Sequence, residues 1–376
     1  LTHPYRKGAL QLMAISDVKP TNASDINSDK IASSSLSKYK NIKAPKKMVS
    51  YSKYGYFFIL PFFAIYAIFS LYPLLNTIYL SMTQYVKPVM GPVIGPKFVG
   101  LSNFKDIVGN NRAFGEFTIG AFRNTFIMWS INFIPQISLA LLLAAWFTNM
   151  RVKMNGAAQG IYKVMIYMPN IITAASISLL FKTLFSYPNG PINLLLQDIG
   201  ILDDPFRFIE TPTSAVLIIS FINFWMWYGN TMIILIAGIM GINPSLYDSA
   251  EIDGANNGQI FRKITIPLLR PIMLYTLVTS LIGGMQMYDI PRLMAGDVNS
   301  TNPANRYIKT VTMYIQELVA RPGTSRNYGH SAAVSVLLFL VTATFSIILF
   351  YIMRDKDAIK QRKLEKAAKK EAMANE

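Results

Sequence analysis

The sequence predicts an all-α membrane protein, a bundle of six transmembrane helices with both chain ends on the cytoplasmic side. Three observations predict it. Six apolar stretches are each long enough for a bilayer crossing, which takes roughly 20 residues of helix. Only 15% of the 376 residues are charged, while 52% are hydrophobic and 12% aromatic; a soluble domain usually carries about a quarter charged residues. The Lys and Arg residues, finally, crowd the chain ends and alternate connections. Helix is the form expected for the spans, because an unpaired backbone group is costly in lipid.

The elements follow in order. Residues 1–53 are polar and basic, read as a disordered cytoplasmic tail without the short apolar core of a signal peptide; Met13 is the expected start, and residues 1–12 carry little weight. The first span covers about 54–82 ("YGYFFILPFFAIYAIFSLYPLL…") and the second about 121–148, where Asn132, Pro135 and Gln136 read as a helix kink rather than a ligand site. The third covers about 163–186, the fourth about 213–241, and the fifth about 268–290, opening behind two prolines. The sixth, about 331–353, is the cleanest, and residues 354–376 form a charged, helix-prone tail that suits a lipid headgroup surface. Tyr54, Tyr56, Trp146 and Tyr351 fall at the span edges, where an interfacial aromatic belt is expected.

Orientation follows from the cations. The inner parts carry ten in the N-tail, three at Arg151, Lys153 and Lys163, three at Arg262, Lys263 and Arg270, and eight in the C-tail. The outer loops carry four, two and five, with Arg123 left inside the second span. Both termini are therefore inside. The outer loops are long and rich in Gly, Pro and Asn, and three such loops on one face offer a docking surface.

The same numbers exclude other functions. A net charge of +16 would suit nucleic acid, but the charge sits on the flanks of an apolar body rather than along a groove. There is no Cys, so thiolate chemistry and disulfides are out. His3 and His330 are the only histidines, too few for the His/Asp/Glu constellation of a membrane-embedded enzyme. An ion-coupled secondary transporter would show internal repeats and charges within spans; no repeat is evident, and Arg123 is the one clear charge.

Between spans four and five stands "SLYDSAEIDGANNGQIFRKITIPLLRP". Asn243 is a good N-cap, and Pro244 sits at the first helical position, where its missing N–H costs nothing. A helix over 244–253 is expected to stop at Gly254, which tolerates the left-handed conformation. A second short helix over about 257–265 runs to Pro267 and Pro271. A flexible connector would need none of this punctuation.

Here the chain resembles the permease subunits of binding-protein-dependent ABC importers, whose cytoplasmic motif reads E-A-A, three residues, G, nine residues, I-x-L-P. This chain has Asp248-Ser249-Ala250, then Glu251-Ile252-Asp253, then Gly254, and nine residues on Ile264-Thr265-Ile266-Pro267. "AEIDGA", "ITIPLLRP" and "FVGLSNF" resemble the maltose-type carbohydrate branch. The resemblance covers roughly 54–353 and implies that branch's helical permease fold. It implies as partners a second homologous permease in a heterodimer, two cytoplasmic ATPase subunits and an extracytoplasmic solute-binding protein. The chain would be a multi-pass protein of a prokaryotic cytoplasmic membrane and not itself an enzyme. Residues 243–258 would be the coupling helix, with Asp248, Ser249, Ala250, Glu251, Gly254, Ile264 and Pro267 meeting the ATPase. No phosphate loop of the G-x-x-x-x-G-K-[ST] type occurs, so ATP and Mg are expected on the partner and no cofactor on this chain.

The cargo is sought in spans four and five. Sugars are held by aromatic faces and paired hydrogen-bonding groups. "NFWMWYGN" and "MQMYD" supply both, and the expected pathway is Trp225, Trp227, Tyr228, Asn230, Gln286 and Tyr288, with Asn223 and Asp289 nearby. By resemblance Trp227, Asn230 and Gln286 lie closest to the family's sugar site. Helix packing is the alternative role for the tryptophans. A sugar, most simply an oligosaccharide, is the expected cargo; glycerol phosphate or another non-sugar solute is the alternative for the same machine.

Overall fold

A computed structural model describes residues 52–109, 114–148, 156–295 and 302–354, with 364–365 and 367–368 beyond them. The readings placed on residues 1–51 and on most of the C-tail lie outside the described residues, as do Arg151 and Lys153. The chain divides into two compact units, residues 1–67 and 68–376. The first unit contributes α1, Ser52–Tyr66, whose side chains from Tyr56 to Tyr66 are exposed and rich in aromatic rings. A helix that is apolar all round needs an apolar solvent. A π-helical turn, Ala67–Leu71, follows it.

In the second unit α2 (Tyr72–Ser81) leads into strands β1 (Thr83–Lys87) and β2 (Ile94–Phe98), then α3 (Ser102–Val108) and α4 (Gly115–Thr148). Next come α5 (Gly156–Ile171), α6 (Ala174–Leu184), α7 (Pro191–Asp198), α8 (Pro212–Met240) and α9 (Pro244–Ile252). They are followed by α10 (Asn257–Ile260), a π-turn (Phe261–Thr265), α11 (Ile266–Leu268), α12 (Arg270–Met285) and α13 (Asp289–Ala295). The chain closes with α14 (Asn305–Ile308), α15 (Val311–Ala320), β3 (Arg326–Asn327) and α16 (Tyr328–Met353).

Four helices among the described residues are long and apolar enough to cross a membrane: Gly55–Ser81, Gly115–Thr148, Pro212–Met240 and Tyr328–Met353. They match the first, second, fourth and sixth expected spans. The third and fifth are not single straight helices. The third is α5 and α6, bent by 86° at Ile172–Thr173. Pro169 removes a backbone donor just before the bend, and Thr173 then caps α6 by accepting a hydrogen bond from Ser176 N at 3.2 Å. The fifth is reached through a 67° bend at Leu269 and breaks again at Gln286–Tyr288, between α12 and α13. Counting each bent pair as one span gives six.

The axis of the second unit is the α4–α8 pair, the most extensive helix contact in the chain. Ala140 and Ala144 on α4 let it approach Met232 and Leu235 on α8, all four fully buried. Gln136 Nε2 donates to Thr231 Oγ1 at 2.8 Å across the same seam, a polar pairing between otherwise apolar faces.

The all-α expectation needs one amendment. The loop after the first span folds into β1 and β2, and β3 completes an antiparallel sheet in the order β2-β1-β3. Extended backbone suits "KPVMGPVIGPKF", whose three prolines and two glycines disfavour helix. Asn103, buried on α3, donates to Ser81 O and Thr83 O at 2.8 Å each, and Tyr85 stacks on Tyr328 with ring centroids 4.8 Å apart. The end of the first span is thereby fastened to the start of the last.

Candidate functional site

Two places in the second unit combine exposure, shape and chemistry. The first is the α9–α11 segment. Asn243 caps α9 by accepting from Ser245 N at 3.1 Å. At the other end Gly254 takes φ +78°. Ala255 N donates to Ala250 O at 2.9 Å and Gly254 N to Glu251 O at 3.0 Å, the paired bonds of a Schellman C-terminus. No side chain of α9 is buried. Asp248, Ser249, Glu251 and Gly254 are exposed, whereas Ala250, Ile264 and Pro267 are half-buried. α9 is thus capped at both ends, half-buries Tyr247 and Ala250 against its own chain, and leaves Asp248, Ser249 and Glu251 at the surface.

A groove of about 600 Å³ runs beside it. Trp146 and Phe147 from the end of α4, Lys163 from α5, and Tyr247, Asp248 and Glu251 from α9 line it. Lys163 Nζ lies 5.9 Å from the Phe147 ring centroid. Gly254 and Ile264 border a separate hollow of about 360 Å³ on the other side of the turn. Two features here escaped the sequence reading. Asn256 and Gln259 form a reciprocal capping box, with both bonds at 2.9 Å, which starts α10. The π-turn at Phe261–Thr265 then follows. The Asn-x-x-Gln spacing signalled the box; nothing in the residues signals a π-turn.

The second place is a cavity of about 350 Å³ between α4, α8 and α12, closed by the non-helical Gln286–Tyr288. Of the expected pathway residues, Trp227, Asn230, Gln286 and Tyr288 line it, and so do Asn223 and Asp289. Trp225 and Tyr228 lie elsewhere: Trp225 packs on Phe181, 5.9 Å between ring centroids, against the core, and Tyr228 faces Phe224 at 5.6 Å. The break in the fifth span explains the rest. It ends α12 and lets Gln286 and Tyr288 reach the space that a continuous helix would have filled; irregular backbone at membrane depth is tolerated where it lines such a cavity.

The sequence reading missed the α4 wall. Asn132 and Gln136 line the cavity, and α4 continues through Pro135, so these two residues give the cavity a polar face beyond the kink expected of them. Their i, i+4 spacing, which sets two amides on one face of the span, was the available signal. Trp129 joins them, its indole lying over Gly284 where any Cβ would overlap the ring. Trp129 Nε1 is buried and has no hydrogen-bond partner among the described residues. Thr276, Thr279 and Ser280 on α12 complete a wall of aromatic faces, amides and hydroxyls. None of the lining residues, all of them described, is Lys or Arg. No cluster of three or more His, Asp or Glu suited to a metal occurs among the described residues.

Comparison with known proteins returns one consistent kind of match. The family described as binding-protein-dependent transport system inner membrane component matches residues 120–356. A lactose transport system permease protein of Rhizobium radiobacter is 31% identical over 306 residues, spanning 81% of this chain and 96% of that protein. A trehalose/maltose transport system permease protein of Thermococcus litoralis is 28% identical over 303 residues, 81% of this chain and 94% of its own length. An arabinooligosaccharides transport system permease protein of Bacillus subtilis is 28% identical over 294 residues, 78% and 86% respectively. Among solved structures, a bacterial ABC transporter for import of the acidic polysaccharide alginate superposes with a TM-score of 0.66 at 22% identity. It covers 80% of this chain and 94% of the matched one.

Proposed function

The chain belongs to the family of binding-protein-dependent transport system inner membrane components, and on that premise we propose that it is the permease subunit of an ATP-driven sugar importer. It works in the cytoplasmic membrane of a prokaryote beside a second, homologous permease. Two cytoplasmic ATPase subunits hold the ATP and Mg, and an extracytoplasmic solute-binding protein delivers the cargo. This chain catalyses nothing itself. α9 seats in an ATPase subunit through Asp248, Ser249, Ala250, Glu251 and Gly254, with Ile264 and Pro267 behind them. Closure of the ATPase pair moves α9 and turns the pore.

The observation that carries this reading is the exposed, doubly capped α9, whose sequence follows the importer motif from Asp248 to Pro267. The cargo is read as an oligosaccharide. Supporting that are the lactose, trehalose/maltose and arabinooligosaccharide relatives and the aromatic-and-amide wall around Trp227, Asn230 and Gln286. A phosphate-bearing cargo would meet no basic side chain in that wall.

Replacing Gly254 by Val tests the coupling role cleanly. A Cβ there meets no atom within 4 Å, so the defect is backbone strain at positive φ, on the order of 1–2 kcal/mol for an L-residue. Gly254→Val and Glu251→Lys are both expected to insert and assemble while ATP hydrolysis loses its link to uptake; Gly254→Asn, which tolerates this conformation, should retain it. Normal uptake per ATP in both disruptive variants would refute the assignment of α9.

A further inference from the structure

The covalent route from α9 to the fifth span is soft. It passes the Gly254 turn, the short α10, the π-turn at Phe261–Thr265 and Pro267 before α12 begins, with Pro271 in the first turn of α12. A π-turn holds an extra residue relative to the α-turn it replaces. Rewinding it would rotate everything beyond by about 100° and slide it by about 1.5 Å. A push on α9 carried only along the backbone would be absorbed there.

The structure bypasses that soft stretch at one point. Tyr247 Oη on α9 lies 3.3 Å from Thr265 Oγ1, the last residue of the π-turn. Thr265 is buried, and its backbone oxygen accepts from Leu269 N at 2.9 Å; Leu269 O in turn accepts from Met273 N at 2.8 Å inside α12. Leu269 is 1% exposed and sits at the 67° bend. Its seat is a notch on α8: a Cβ on Gly238 would come within 2.9 Å of Leu269 Cδ2 and 2.7 Å of Ile272 Cδ1. One hydroxyl contact thus joins α9 to a backbone hydrogen-bond chain that crosses the bend over a fixed pivot. At 3.3 Å the contact is long for an O–H···O bond, so it has room to shorten under load.

We infer that Tyr247 and Thr265 are positioning residues that make the fifth span follow α9, with Leu269 in the Gly238 notch as the pivot. The inference rests on the reading that α9 receives the ATPase movement. Tyr247→Phe or Thr265→Val leaves shape and insertion intact but returns the load to the π-turn. α9 then moves while α12 lags. Thr265→Ser keeps the hydroxyl and keeps the movement.

The chain has no native Cys, so within it only the introduced cysteines take spin labels; the partner chains are used in cysteine-free form. Labels at Ile252→Cys on α9 and Ile282→Cys on α12 are each measured against Leu217→Cys on α8, positions 86%, 38% and 51% exposed. The sample is the complete importer with its binding protein in nanodiscs, with and without ATP. In the otherwise native chain ATP shifts both distances. In Tyr247→Phe and in Thr265→Val the 252–217 shift persists, whereas the 282–217 shift roughly halves or vanishes, as for contacts coupled in series. An unchanged 282–217 shift in both variants overturns the inference. A native 252–217 distance that ignores ATP overturns instead the reading of α9 on which it rests.

Discussion

At the level of single residues, helical periodicity separates cavity wall from core. Trp227 and Asn230 are three positions apart and share a face of α8, whereas Trp225 stands about 200° away from Trp227. The same stretch that yields four aromatic residues therefore divides them between two jobs. Trp227→Ala combined with Asn230→Ala should lower import at least roughly tenfold, as expected when a stacking face and a paired amide are both lost. The purified assembly should keep its subunits, and unchanged import would return both residues to packing. Trp225→Ala should instead cost stability, about 2 kcal/mol for a partly buried ring, read as a lower melting temperature in detergent. The spacing sets the two tryptophans on different faces, yet the sequence expectation placed both on the pathway, because spacing alone does not say which face meets the cavity. The participation of Trp129 was not legible either, because its role depends on Gly284 of a helix more than 150 residues away.

Among elements, apolar length reveals the straight spans and hides the broken ones. The second, fourth and sixth spans stand where composition put them, the second starting six residues early at Gly115. Composition has no direction in it, so it could not register an 86° turn within the third span or the interruption at Gln286–Tyr288. The local signs, Pro169 and a capping Thr173, were present but are common in helices that only kink. Asn243, Pro244 and Gly254 fixed α9 to within one residue of its end, while the π-turn depends on tertiary contacts that local punctuation does not encode. The β1–β3 pairing of the small sheet was equally silent, because its partners are joined across more than 230 residues. It offers a direct test of how much a buried amide can hold. Asn103→Ala removes the donor from Ser81 O and Thr83 O, which should cost about 2 kcal/mol. Hydrogen exchange should rise across 81–87 and leave α8 as it was.

For the whole molecule, charge placement sets orientation, and that expectation is open to direct measurement. A cysteine introduced at Ile252, 86% exposed on α9, should react with a membrane-impermeant maleimide only in inside-out vesicles. One introduced at Met90, 90% exposed between β1 and β2, should react only from outside. Reversed labelling would invert the assignment of every loop. The order of synthesis supplies a further consequence of the break at Leu269. α12 does not qualify as a membrane-crossing helix alone; it qualifies only jointly with the bent stretch before it. Its neighbours are α4 and α8, already made, and α16, made last and the most apolar of the four long spans among the described residues. The fifth span is therefore expected to depend on α16, as well as on α4 and α8, for its place in the bilayer. A chain cut short before Tyr328 would leave that segment stranded, prey for quality-control proteases rather than a smaller transporter.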